Sequence, residues 1–181
     1  MTAITQAQIL TKFSVASSAG NTTAGNAATS LGDQISTTSW NGGTPHDLFD
    51  PITGTENAAS ASDYRCFFVH NSNPTNDFVG AYLFLSSETV GGASISVAVD
   101  NIAASLIGAT TQQASVAANE NTAPSGISVF VAPTTVGTAL LLGTIPANHC
   151  KAVWIKRSAL NTTTPSSDGV VFTIGGDTGA L

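Results

Sequence analysis

Ionic side chains are scarce in this sequence: 9% of its 181 residues are charged, where soluble domains carry about 25%. A folded monomer of this size exposes roughly 8,000 Å². Five Lys+Arg and eleven Asp+Glu must serve that surface, so each formal charge covers roughly 500 Å², the size of the largest apolar patch on a typical monomer. Ser, Thr and Asn must do the solvating instead. Cations are the scarcer sign, and a net charge of −6 argues against nucleic acid and anionic membrane as partners, since both select clustered Lys and Arg. Long apolar runs are missing too. Runs such as residues 139–142 and 66–69 are about five-fold shorter than the ~20 residues of a spanning helix. Residues 1–10 lack both the cationic start and the apolar stretch of a secretion signal. Cysteine is limited to Cys66 and Cys150, with no Cys-x-x-Cys spacing. They fit neither a disulfide framework nor a zinc site, and read as packed, reduced thiols.

What is present is the period of β-strands. Ile95, Val97 and Val99 alternate with Ser94, Ser96, Ala98 and Asp100, as expected when one sheet face is buried and the other wet. Similar alternation runs through Ile9, Thr11, Phe13 and Val15, and through Val170, Phe172 and Ile174. Gly, Pro, Asn and Ser clusters at 71–74, 91–92 and 163–169 separate the runs and leave no room for a long amphipathic helix. Candidate strands fall near 9–15, 31–36, 64–70, 79–85, 94–100, 102–107, 127–131, 139–145, 151–157 and 169–174. The expected fold is all-β, an antiparallel sandwich of jelly-roll-like or Ig-like type over 31–181, preceded by a strand or flexible N-terminal arm over 1–30. Runs 64–69, 79–85 and 152–155 are apolar on both faces and so need a second cover: a terminal arm, a long loop or a neighbouring subunit. Small polar residues over 14–30 read as a flexible connection, and 110–126 as a loop longer than most connections.

Chemistry-bearing groups are few. His46, His70 and His149 are scattered, no G-x-S-x-G elbow occurs, and Cys150 beside His149 points the opposite way on an extended backbone. The glycine pairs at 42–43, 91–92 and 175–176 lack the Lys-Ser/Thr or helix start of a phosphate cradle. Asp47, Asp50, Glu56 and Asp63 gather acids without calcium-loop spacing, and Leu48 and Phe49 read as a plug at the end of the sandwich. No enzyme, metal or cofactor is expected. Three of the five cations, Lys151, Lys156 and Arg157, bracket Trp154. That cluster reads either as a contact to an acidic partner surface or as a core Trp with cations snorkelling at the strand end. Trp40, in a Ser/Asn/Gly context, is the aromatic expected to stand exposed.

Residues Glu56-Asn57-Ala58, Asp63 to Cys66, Val69 to Asn73, Asn119 to Gly126, Ala152 to Arg157 and Asp168-Gly169 form an ordered set that resembles tailed-bacteriophage virion structural proteins over roughly residues 31 to 177. The resemblance implies a β-structured particle component without catalytic activity, made in a bacterial cytoplasm. Within that class the expectation is a head decoration or cement protein. It would be a homotrimer bound to the major capsid protein on the outside of the shell, with no nucleic-acid or membrane partner. Lys151, Trp154, Lys156, Arg157, Asn119, Glu120 and Asn121 are its candidate interface residues. A tail, neck, baseplate or fibre component is the alternative. A carbohydrate-binding module using Trp40 is the second.

Overall fold

A computed structural model describes residues 3–44, 46–89, 91–163 and 168–179; of the turn expected over 163–169, residues 164–167 lie outside that set. Ten strands and one short helix follow in chain order: β1 Ile9–Val15, β2 Gly32–Ser39, α1 Gly54–Ala58, β3 Ser62–Asn71, β4 Phe78–Glu88, β5 Ala93–Val99, β6 Ser105–Leu106, β7 Ala114–Val116, β8 Leu140–Ile145, β9 His149–Ala159 and β10 Val170–Thr178. They form two antiparallel sheets. The larger has the order β5-β9-β3-β1-β2-β7, with β6 also on β9, and the smaller has the order β10-β4-β8. The backbone of the larger sheet is the β3/β9 pair, in unbroken register from Ser62↔Ser158 to His70↔Cys150.

The all-β sandwich is thus the observed fold. Between the sheets, Phe13, Phe67, Val69, Val97, Val153 and Ile155 meet Ala81, Leu83, Leu85, Leu142 and Ile145. Leu48 is buried in this core and Phe49 packs against it, so both plug the sandwich as expected. The alternation of β4 explains its placement. Ala81, Leu83 and Leu85 are buried while Tyr82, Phe84 and Ser86 point away, which puts one face of the small sheet in the core and the other in solvent.

A second core lies on the far side of the larger sheet, where Ile35, Cys66, Phe68, Ala152 and Trp154 are sealed by Ala114, Ala117 and Ile127, with Leu31, Ile107 and Phe130 alongside. The second cover demanded by the doubly apolar runs 64–69 and 152–155 is therefore the chain's own 101–131 segment, whereas the run 79–85 has no such cover and its outer face meets solvent. No neighbouring subunit is needed to complete β3 or β9.

Several local expectations change. Residues 9–15 are no arm: β1 lies inside the larger sheet between β3 and β2, because Phe13 supplies a core side chain. Residues 14–30 are a hydrogen-bonded run of turns, held by Gly20 N to Ala109 O, Asn21 N to Ile35 O and Thr37 N to Thr23 O. Of the runs 102–107 and 127–131, the first keeps only β6 and the second only an isolated bridge from Val131 to Val97.

Candidate functional site

The candidate interface residues are brought together in two groups, the first turned inward and the second tying the exposed Asn119 and Asn121 and the half-buried Glu120 to buried partners on β3 and β9. In the first, Trp154 is fully buried and its Nε1 donates to Asp100 Oδ2 at 2.8 Å. Lys151 Nζ donates to the Asp100 carbonyl at 2.8 Å and to that of Ile102. Burial pushes the Lys151 pKa down, with Asp100 opposing. Asp100 also accepts from Ser115 N and Ile102 N, each at 2.8 Å, so one carboxylate pins the start and the middle of the covering segment to β9. Trp154 is thus a core residue, but Lys151 and Arg157 do not snorkel to solvent: both are buried and held by internal partners.

The second group centres on Asp63. Arg157 donates to Asp63 Oδ2 through Nε at 3.0 Å and Nη2 at 2.6 Å, and Asn121 Nδ2 donates to Asp63 Oδ1 at 2.8 Å. Glu120 pairs with Arg65 and its carbonyl accepts from Tyr64 N at 2.7 Å. Asn119 turns the loop by accepting from Asn121 N at 3.0 Å. Phe49 completes the cluster, with Arg157 4.8 Å and Arg65 5.6 Å from its ring centroid, within cation–π range. Asn119, Glu120 and Asn121 are thus a clamp within the chain. Only Lys156 among the proposed cations remains half-buried rather than buried.

This arrangement inverts the expected surface. Lys12, Arg65, Lys151 and Arg157 are all buried, and Lys12 Nζ is held by Asn21 Oδ1 at 2.6 Å. Of the acids, Asp63 and Asp100 alone are buried. Nine carboxylates are therefore not buried, against Lys156; of these, Glu120 pairs with Arg65 and Asp50 with Arg157, and the balance of charge disfavours an acidic partner surface.

Catalytic candidates fare as their environments dictate. Burial raises the Cys150 thiol to about 12 and Cys66 well above its ordinary value, so neither forms a thiolate at neutral pH. His149 Nδ1 is 2.8 Å from the Ala147 carbonyl. His70 is buried without a partner on either ring nitrogen among the described residues, and burial, then Lys12, lowers its pKa to about 4.

Trp40 also departs from expectation. It is 9% exposed and packs edge-on against Phe67 and Phe172, with centroids 5.0 and 6.0 Å away. It offers no exposed platform to a sugar.

The aromatic surface is elsewhere, on the outer face of the small sheet, where Tyr82 and Phe84 are half-buried. Tyr82 and Phe84 stack with centroids 6.4 Å apart. Leu141, 71% exposed, stands opposite Tyr82 on β8, and Thr173 stands opposite Phe84 on β10. The Tyr82 ring occupies the space that a side chain at Gly175 would fill. Val171 and Val79 extend the exposed apolar set. The outward residues of this face carry no formal charge at its centre, unlike the acidic remainder. Its signal in the sequence was the doubly apolar run 79–85, which gives β4 one face for the core and one for solvent.

Fold and surface together define the class: an antiparallel β-sandwich, self-covered on both sides of its larger sheet, with an anionic exterior and one uncharged aromatic face. Comparison with protein-family models, with curated proteins and with solved structures finds no match for this chain.

Proposed function

We propose that this chain is an adhesive structural protein of a bacteriophage particle, a head decoration subunit that docks on the assembled shell and stabilises it. The observation that carries this reading is the uncharged Tyr82/Phe84/Leu141 face on a molecule whose exterior is otherwise acidic. Such a face is where association costs least in desolvated charge and gains most in apolar burial. The resemblance to tailed-phage virion proteins supplies the particle. A homotrimer presenting three such faces to the major capsid protein binds only the assembled lattice, and mass action then stabilises that lattice. Location on the virion, after synthesis in the host bacterial cytoplasm, belongs to the same proposal.

Densitometry of purified particles tests it. A molar ratio to the major shell protein near one supports decoration, a few hundredths places the chain in the tail, neck, baseplate or fibre, and absence from particles overturns the reading. With purified shells, Leu141→Glu is expected to weaken binding by at least ~10-fold, as a charge in the centre of a desolvated interface does, while leaving the unfolding midpoint unchanged because Leu141 is exposed. Equal binding by both proteins would move the docking surface away from this face.

A further inference from the structure

We propose that the peptide joining Asn41 to Gly42 is a site of spontaneous covalent modification, where the folded protein converts Asn41 to a mixture of aspartate and isoaspartate with water as the co-reactant. The glycine pair at 42–43, which forms no phosphate cradle, thus has a chemistry of its own. In the first step the Gly42 backbone nitrogen gives its proton to hydroxide and bonds to Asn41 Cγ, while the Cγ–Nδ2 bond breaks and ammonia leaves. Water then opens the cyclic imide. Cleavage between Gly42 N and Cγ yields aspartate. Cleavage between Gly42 N and the Asn41 carbonyl carbon yields isoaspartate, whose main chain runs through the former side chain. Either product adds one negative charge to a chain of net charge −6. This chemistry does not depend on what the protein docks to.

Asn41 is the only asparagine in the sequence that is followed by glycine. A glycine nitrogen is unhindered by a Cβ, and its backbone turns freely. Gly42 and Gly43 have φ of +64° and +98°, and a Cβ built at either would meet nothing within 4 Å, so open space surrounds the segment that must rotate. The fold also releases the chain at this point. Trp40 is tied twice to β1, its N–H donating to the Thr11 carbonyl at 2.8 Å and its carbonyl accepting from Thr11 Oγ1. The next backbone tie along the chain is Asp47 N to Thr44 O. Residues 41–43 between them are exposed and hold no hydrogen bond among the described residues, so nucleophile and leaving group are both unrestrained. Asn71 with Ser72 shows the contrast. Asn71 is buried, its Nδ2 donates to the carbonyls of Asn76, Ile145 and Pro146, and Ser72 N donates to Gln8 O at 2.8 Å. There the fold holds both reacting groups.

The test incubates the full-length protein for weeks at mildly alkaline pH and follows it by intact mass, isoelectric focusing and enzymatic carboxyl methylation of isoaspartate. A gain of about 1 Da and one negative charge per molecule is expected, mapped to residue 41 by fragmentation and faster in proportion to hydroxide. Because the loop is already free, the rate at Asn41 in the folded protein should lie within about 10-fold of that in the guanidinium-unfolded chain, whereas Asn71 should react only when unfolded. Asn41→Gln, which must close a larger ring, should slow the gain at least ~10-fold and leave the unfolding midpoint unchanged, since Asn41 is exposed. No gain in the folded protein would overturn the proposal. So would a folded rate suppressed by more than about 10-fold, which would mean that the fold holds the Gly42 nitrogen back. An undiminished gain in Asn41→Gln would overturn it as well, by moving the reaction to another amide.

Discussion

Removing the Asp100 carboxylate should loosen the entire second core. Asp100→Ala deletes the acceptor for Trp154 Nε1, Ser115 N and Oγ, and Ile102 N. Ser115 and Ile102 are half-buried and can turn to water. Trp154 is fully buried, so its N–H is left dry, at about 1–3 kcal/mol. Losing the charge-assisted bonds to the loop brings the expected total to about 3–5 kcal/mol, the usual cost of breaking a buried ionic hydrogen-bond group. Against a domain stability of about 5–15 kcal/mol, that is a fifth or more. For a chain of this length it lowers the melting midpoint by roughly 6–20 °C. Asp100→Asn keeps the shape but turns an N–H toward a donor, so an intermediate loss of about 2 kcal/mol is expected. Urea unfolding followed by tryptophan fluorescence gives the free energies, and amide exchange should show residues 102–117 losing protection first. A loss under about 1 kcal/mol for Asp100→Ala, with exchange at 102–117 unchanged, would refute the account of this carboxylate as the pin of the cover.

Gly32→Ala should destabilise by more than about 3 kcal/mol or prevent folding, because Gly32 has φ +97° and a Cβ there would overlap the Ser115 carbonyl oxygen and crowd Trp154; wild-type-like thermal melting would contradict this. His70 binds its proton less tightly folded, with a pKa of about 4, than unfolded, where it is 6.5. Its contribution is therefore intact above pH 6.5, falls as pH drops toward 4, and is flat below, up to about 3 kcal/mol in all. His70→Leu should flatten the stability–pH curve over that window, and an unchanged slope would rule His70 out as its source. Cys66 and Cys150 should both resist a thiol-specific disulfide reagent at pH 8 in the folded protein and both react once it is unfolded in guanidinium; a rapid native equivalent would show that one thiol reaches solvent.

The strands were readable where burial is one-sided. In β5 and β10 the apolar positions alternate, and in β3 and β9 the doubled apolar faces announce a sheet covered twice. The cover itself was obscure because its anchors are small. Ala114 and Ala117 seal Trp154 without any apolar run, and β7 is three residues long. The same limit applies to the charged cluster. Nothing local in Lys151 to Arg157 reveals that Arg157 meets Asp63, 94 residues away, or that Trp154 meets Asp100, 54 away. A scarcity of cations in the chain hides where the few are spent, and in the fold they bind the protein to itself. Trp40 was misplaced for a related reason: its polar neighbours Ser39 and Asn41 are exposed, while Phe172, far along the chain, closes over it.

All five Lys and Arg residues lie within strands: Lys12 in β1, Arg65 in β3, and Lys151, Lys156 and Arg157 in β9. Trypsin cuts after these residues and needs a flexible, extended stretch of backbone to do so, which a hydrogen-bonded ladder withholds. The folded protein should therefore pass intact through a digestion that shreds most globular chains at their basic loops. Each cleavage that does occur reports a molecule that had opened, which makes simple tryptic digestion a direct gauge of global unfolding.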